Sequence, residues 1–94
     1  MSYAKRVDSN QVELVEYARL LGASVEHLHK VGGGVPDLVL GYEGKNYLCE
    51  VKTIKGKLND LQIKWFTKWN GQACVIRTKE DLNFLLKGEK NWSI

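Results

Sequence analysis

Three charged residues stand at the ends of apolar runs in the stretch PDLVLGYEGKNYLCEVK, residues 36–52. Asp37 precedes the run LVL, whereas Glu50 and Lys52 close the run that begins YLC. An isolated charge that is buried in a protein destabilises the fold by several kcal/mol unless it is paired or bound to a metal ion. The placement of these three side chains therefore indicates a site.

The spacing predicts that the three side chains meet. Side chains alternate across a β-strand, so Glu50 and Lys52 project from one face. The segment GYEGKN between the two apolar runs is typical of a hairpin connection, which makes the runs antiparallel strands. The start of one strand then lies beside the end of the next, and Asp37 joins the other two residues at one edge of the sheet.

Such a trio favours metal-assisted phosphoryl chemistry. Adjacent carboxylates repel each other unless a cation joins them, and oxygen ligands suit Mg²⁺ or Mn²⁺. A bound ion would lower the pKa of a water ligand, while Lys52 would orient or deprotonate that water or stabilise the developing charge. The backbone carbonyl of Val51 could complete the coordination. The competing interpretation is a surface salt bridge between Glu50 and Lys52, with Asp37 in a turn.

The elements that would position this site follow the order αβββαβα, which predicts an α+β fold with a mixed four-stranded sheet flanked by helices. Gly22 ends the first helix, and the glycines at 32–34 separate the first two strands. We predict helices over 8–21, 59–70 and 79–87, and strands over 23–31, 36–41, 46–54 and 73–77.

The composition indicates a folded protein and excludes several classes. With 94 residues, 44% hydrophobic and 27% charged, the chain is predicted to be a single domain over 1–94. Its apolar runs are far shorter than the roughly 20 residues that span a bilayer, and its start lacks the apolar region of a signal peptide, so we expect no membrane association and a cytoplasmic location. Cys49 and Cys74 are expected to be reduced and buried, with a disulfide as the minor alternative.

The second predicted helix carries an apolar stripe and a polar residue within it. The stripe consists of Leu58, Leu61, Trp65 and Trp69, with Phe66 beside it. Gln62 lies on that stripe, and a buried glutamine needs hydrogen-bond partners, which the charged edge of the sheet would supply. The alternative is a partly exposed glutamine at the margin of the stripe. The three tryptophans are expected to form core or dimer contacts.

A net charge of +3 favours nucleic acid only weakly, but lysines cluster after the charged strand. They are Lys55, Lys57, Lys64 and Lys68. As a phosphate-contacting surface they would bind DNA without sequence preference and in a salt-dependent manner; the alternative is a solvated helix face. His27 and His29 share a predicted strand face, but nothing nearby completes a zinc site, so we expect them to contact DNA or to be partly buried.

The motif PD, followed after 12 residues by EVK, resembles the signature of the PD-(D/E)xK nuclease superfamily. The longer segments GGGVPDLVLG, LCEVK and LNDLQIKWFTKWNGQACVIRTKEDL are similar to minimal, standalone VRR-NUC domains of phage and bacteria, over roughly residues 8–86. The resemblance implies a restriction-endonuclease-like αβββαβ core. It also implies that Asp37, Glu50 and the Val51 carbonyl bind metal.

The same resemblance implies that Lys52 is the catalytic lysine and that Gln62 is the glutamine such nucleases carry on the next helix. The family usually adds an acidic residue on the first helix. Asp8 is the favoured candidate and Glu16 the second, whereas Gln11 at this position would leave the site one carboxylate short.

The activity implied is a metal-dependent deoxyribonuclease with water as the nucleophile. Small members of such families act on DNA structure, including Holliday-junction-resolvase-like enzymes, so we expect a homodimer that cleaves branched DNA in a bacterial or phage-infected cell. One alternative is a catalytically inactive DNA-binding module with the nuclease fold. Another is a sequence-specific restriction-type endonuclease, which the small size disfavours.

Overall fold

A computed structural model describes residues 9–88, which form an α+β fold with one four-stranded sheet. Its elements are α1 (Ser9–Leu21), β1 (Ser24–His27), β2 (Leu38–Tyr42), β3 (Lys45–Val51), α2 (Asp60–Lys68), β4 (Ala73–Ile76) and α3 (Lys79–Leu82), which continues as a π-helical segment (Asn83–Lys87). The strand order is β1-β2-β3-β4, with β1, β2 and β3 antiparallel and β4 parallel to β3. The predicted fold class and element order are confirmed, and both are consistent with a restriction-endonuclease-like core.

The hairpin between β2 and β3 fixes the register that matters for the site. Its two turn residues, Glu43 and Gly44, have φ angles of 51° and 81°, as a two-residue turn of the type I′ class requires. The register pairs Leu38 with Cys49. Asp37, one residue before β2, is therefore carried to the position opposite Glu50.

The core lies where the sheet meets the helices. Its least exposed members are Leu14 and Ala18 of α1, Leu38 and Leu40 of β2, Cys49 of β3, Ile76 of β4 and Leu82 of α3. Leu14 and Ala18 are four residues apart, so they share the helix face that packs inward. Full burial of one leucine side chain contributes roughly 2 kcal/mol to stability, so this cluster holds the elements in register.

The two cysteines of the described chain are free, as predicted. Cys49 is fully buried and Cys74 is half-buried. They are paired across β3 and β4, with their Sγ atoms 3.6 Å apart. The hydrogen bond with Cys74, together with burial, raises the pKa of the Cys49 thiol, so Cys49 stays protonated.

The first strand is shorter than predicted, because it ends at His27 instead of residue 31. The next residue, Leu28, still donates its N–H to the carbonyl of Asp37 over 2.7 Å, but the chain then turns through the glycines at 32–34, all of which have positive φ. His27 and His29 are exposed, so the alternative that they are partly buried was wrong, whereas contact with DNA stays a prediction.

Helix α2 does not bury the apolar stripe that its sequence carries. None of its residues is buried; Leu61, Ile63 and the C-cap residue Trp69 are each about half exposed. Trp65 is half-buried, so the expected core role of Trp65 and Trp69 was wrong, whereas the alternative of dimer contacts stays a prediction. Trp92 lies outside the described residues. Periodicity predicted which residues share a face, but α2 lies beside the charged edge of the sheet rather than over its centre.

Arg77, directly after β4, fixes the loop between β3 and α2. Its Nη1 donates to the carbonyl oxygens of Thr53 over 2.6 Å, Gly56 over 2.7 Å and Ile54 over 3.3 Å. Three acceptors on one charged nitrogen hold the loop in a single conformation. The loop in turn determines where α2 begins.

Replacing Arg77 by methionine, which keeps much of the aliphatic stem, is expected to lower the free energy of unfolding by about 1 kcal/mol, because three carbonyls lose a charged donor. Urea denaturation measures this difference. The matched control is Lys45→Met at an exposed position of the hairpin, which we expect to be neutral. Equal stability of the two variants would contradict the role given to Arg77.

Candidate active site

The charged trio meets at the edge of the sheet where β2 begins and β3 ends. Glu50 lies in β3 and is only 3% exposed. Lys52, the residue after that strand, has 19% of its side chain exposed, and its Nζ lies 3.5 Å from the Glu50 Oε2. Asp37 precedes β2 directly and is half-buried. The structure thus brings together the three residues that the hairpin spacing placed at one edge.

Asp37 is anchored on both strands that border it. Its Oδ2 accepts the backbone N–H of Val51 over 3.0 Å, while its carbonyl accepts the N–H of Leu28. The first bond holds the carboxylate against the end of β3. Asp37 therefore has a structural role in the hairpin that leaves its carboxylate beside Glu50.

The two carboxylate oxygens of Glu50 have different surroundings. Oε2 accepts from the Gln62 Nε2 over 3.0 Å and faces the Lys52 ammonium. Oε1 is buried and has no hydrogen-bond partner among residues 9–88. Buried polar atoms are almost always satisfied, and leaving one unpaired costs roughly 1–3 kcal/mol or more for a charged group. An oxygen of this kind is a suitable ligand for a cation.

Burial, and next the nearby Asp37 carboxylate, raise the pKa of Glu50 from 4.5 to about 7. The Lys52 ammonium lowers the pKa of Glu50, but by less than the other effects together raise it. Without a cation the protein therefore keeps this carboxyl partly protonated at neutral pH. A divalent ion next to both carboxylates would favour the ionised form.

The donor set fits a hard divalent cation rather than zinc. Within residues 9–88, no three His, Cys, Asp or Glu side chains cluster closely enough to hold a metal. Mg²⁺ typically uses one or two carboxylates and retains several waters, and Asp37 and Glu50 provide such a pair.

Among residues 9–88, no helix has the length and apolar character needed to cross a bilayer.

Gln62 connects the start of α2 to Glu50 through the two ends of its amide. Its Oε1 accepts the N–H of Asn59, and its own N–H donates to the Asn59 Oδ1, each over 2.9 Å. Together these bonds form a capping box. The Nε2 remains free of the cap and donates to Glu50. A glutamate would form the same cap but could not donate, so only glutamine serves both partners.

The first helix also reaches the site, through a residue that the sequence analysis missed. Asn10 donates its Nδ2 to the carbonyl of Lys52 over 2.9 Å. The adjacent Gln11 is buried, whereas Glu16 is exposed. Asp8 lies outside the described residues. Asparagine near a helix start is such a common N-cap type that the sequence offered no signal for this long-range bond.

The four clustered lysines are all exposed and lie on the two elements that follow β3. Lys55 and Lys57 lie in the loop that follows Lys52. Lys64 and Lys68 are four residues apart on α2, the helix that carries Gln62. Exposed positive charge is therefore carried both by the loop after Lys52 and by the helix that donates to Glu50.

Two substitutions of Gln62 should separate its two functions. Gln62→Ala loses the cap and the bond to Glu50, and is expected to lower the free energy of unfolding by about 1–2 kcal/mol at any pH between 5 and 8. Gln62→Glu keeps the cap but sets a carboxylate against Glu50, so we expect it to be near wild type at pH 5 and clearly destabilised at pH 8. Urea denaturation at both values is the measurement; parallel losses in the two variants would contradict the double role.

The raised pKa of Glu50 predicts how stability changes with pH. Because the folded pKa of about 7 exceeds the unfolded value of 4.5, the stabilising protonated form is fully present below about pH 4.5 and is lost as the pH rises through about 7. The metal-free protein should lose up to roughly 3 kcal/mol over this window, at 1.36 kcal/mol per pKa unit.

Glu50→Gln is the control for that prediction, since it removes the titrating group. Subtracting its unfolding curve from that of the wild type isolates the contribution of Glu50. Millimolar Mg²⁺ should reduce the pH dependence of the free energy of unfolding in the wild type and leave that of the variant unchanged. A wild-type curve that runs parallel to that of the variant would contradict the assignment.

The family model that matches the chain is that of the VRR-NUC domain, over residues 6–78. The match includes the hairpin with Asp37 and Glu50, as well as Lys52 and Gln62 on the elements that follow. No curated protein and no solved structure matches the chain. The protein belongs to the VRR-NUC family of the PD-(D/E)xK nuclease superfamily.

Proposed function

We propose that the protein is a Mg²⁺- or Mn²⁺-dependent endonuclease that hydrolyses phosphodiester bonds in branched DNA. Membership of a nuclease family supports the class of reaction. The observation that carries the proposal is the buried Oε1 of Glu50, which has no hydrogen-bond partner among residues 9–88 and lies near the Asp37 carboxylate. Such a pair is stable in its ionised form only with a cation.

The ion would be held by Asp37, Glu50 and the carbonyl of Val51, with Asp8 as a further ligand. When bound, it supplies an acidified water and offsets charge on a phosphoryl oxygen. The bond from Val51 to Asp37 keeps the first carboxylate in place. Gln62 occupies one oxygen of Glu50 and leaves the other for the ion.

Lys52 is the residue that would act on the reacting groups. Its ammonium group is partly exposed and lies at the limit of a salt bridge with Glu50. With the ion bound to Glu50, the ammonium group of Lys52 would hold the attacking water or the phosphoryl oxygen. Substrate phosphates on either side would be bound by Lys55, Lys57, Lys64 and Lys68.

The size of this domain supports recognition of DNA shape rather than sequence. Small DNA-binding modules bury roughly 600–1,000 Å², and lysines position DNA through its phosphates without reading bases. A homodimer would present two such sites to a four-way junction with two-fold symmetry, in the manner of a Holliday junction resolvase. Val12 and Leu20 on α1 are exposed apolar residues that offer contact area for a second copy. The compartment we propose is the cytoplasm.

The second candidate function is a DNA-binding module without catalysis. The family usually has an acid on the first helix. Gln11 is buried beside Asn10, the α1 residue that reaches the site. A glutamine in place of that acid favours the module without catalysis. Such a module would bind DNA equally well in Mg²⁺ and in chelator, and it would never nick it.

The test is cleavage of a labelled four-way junction and a linear duplex of matched sequence in Mg²⁺, Mn²⁺ or EDTA. We expect metal-dependent cutting that prefers the junction and falls by at least about 100-fold in Lys52→Ala, since charge stabilisation of this kind is worth about that much. The control is Lys45→Ala, an exposed lysine of the hairpin, which should cut like the wild type.

Two results would go against this proposal. A wild type that binds DNA but cuts in neither metal supports the inactive module. The second is a protein that sediments as a monomer at micromolar concentration and cuts linear duplex as fast as junctions. This result would support the nuclease chemistry and contradict both the selectivity and the dimer.

A further inference from the structure

An open groove of about 380 Å³ runs along one side of α2. It is lined by Gly33, Leu61, Lys64, Trp65, Lys68 and Trp69. Trp65 and Trp69 stack on each other, with ring centroids 4.8 Å apart and planes inclined by 18°. Trp69 is nevertheless 46% exposed. The groove therefore presents a flat aromatic wall next to two ammonium groups.

The glycine-rich loop that leads to β2 contributes Gly33 to the groove and packs against the first turn of α2. A Cβ atom on Gly34 would collide with the carbonyl oxygen of Leu61, and the φ angle of Gly34 is +85°. Only glycine lets the loop approach the first turn of α2 this closely. The groove is thus formed by direct backbone packing, and a ligand does not have to create it.

Aromatic rings beside lysines match the chemistry of a single nucleotide. Nucleobases stack on indole faces with little dependence on sequence, while ammonium groups bind the phosphates. The volume falls within the range of sites for small ligands, which is about 300–1,000 Å³. Building on the proposed function, we propose that this groove binds one unpaired nucleotide of the DNA substrate, with the base stacked on Trp69 and its phosphates against Lys64 and Lys68.

The groove adjoins the helix that reaches the site. Gln62, which donates to Glu50, is on α2 together with Trp65, and Trp69 is the C-cap residue of that helix. The nine residues of α2 extend about 14 Å at 1.5 Å per residue. A nucleotide in the groove would thus lie near the scissile phosphate, and the enzyme would favour DNA whose strands leave the duplex at a branch.

Charge favours a nucleotide over a second copy of the chain on this face. In a symmetric dimer the same patch meets itself, so contact through the groove would bring Lys64 and Lys68 of two copies together. The sole acid of α2 is Asp60, in its first turn. Like charges facing each other across an interface oppose association, whereas the phosphates of DNA would neutralise these lysines.

The test measures binding in EDTA, so that it does not depend on cleavage. The probe is a hairpin duplex with a three-nucleotide single-stranded extension that carries 2-aminopurine, compared with the same hairpin with a blunt end. In the wild type we expect quenching of the 2-aminopurine fluorescence by stacking. We expect Trp69→Ala to weaken binding of the extended probe by about 10-fold, in line with the loss of one base–aromatic stack, and to leave the blunt probe unchanged.

Two further variants control for the folding of the protein and for the loss of an apolar side chain outside the groove. Trp69→Phe keeps an aromatic face and should retain most of the affinity. Ile63→Ala removes a half-exposed apolar side chain from α2 outside the groove and should bind both probes like the wild type. The quenching in the wild type needs no variant, so it tests the proposal even where Trp69→Ala fails to fold.

Several results would overturn the stacking site. These are an absence of quenching in the wild type, an equal loss on both probes in Trp69→Ala, or a sedimentation experiment in which that variant dissociates a dimer, which would assign the groove to a second copy. The outcomes are separate from those for catalysis. A protein that stacks the probe but never cuts retains this site without the nuclease activity, and one that cuts junctions while Trp69→Ala binds normally retains the activity without this site.

Discussion

The burial of one carboxylate, that of Glu50, is the constraint on which the surrounding structure depends. A carboxylate that is removed from water destabilises the fold unless its oxygens are satisfied. Here one oxygen has Gln62 and Lys52, while the other has no partner among the described residues. The fold therefore maintains a local deficit of positive charge at the edge of the sheet, and a divalent ion is the simplest group that removes it.

Single side chains hold the elements that border this carboxylate, each by a bond to a distant residue. Asn10 connects α1 to the carbonyl of Lys52, Gln62 connects α2 to Glu50, and Arg77 holds the loop between β3 and α2. These contacts fix the surroundings of the Glu50 carboxylate, which would reduce the reorganisation that binding of the proposed ion requires.

The electrostatics of the surface follow from the same arrangement. A net charge of +3 counts Asp37 and Glu50 as fully negative. A bound dication would neutralise both, and the lysines of the loop and of α2 would then dominate the field near the site. The exposed aromatic side of α2 adjoins this positive region, so one surface can offer both charge and stacking to a strand of DNA.

The local sequence determined the hairpin and therefore the pair of carboxylates at the site. A two-residue turn with glycine sets the register of β2 and β3, and this register alone brings Asp37 opposite Glu50. Helix starts were predictable for the same reason, since the side chains of Asn59 and Thr78 each accept the backbone N–H of the residue three positions later. These features depend on neighbours within a few positions of the chain.

Tertiary structure decided what covers each surface and which distant groups meet. The periodicity of α2 predicted an apolar stripe, but only packing left Trp69 exposed and directed the Gln62 amide toward Glu50. The bonds made by Asn10 and Arg77 join positions 42 and 21–24 residues apart, and no local pattern encodes such a partner. A sequence period specifies the direction of a side chain on its own element, whereas burial and pairing depend on how separate elements share one core.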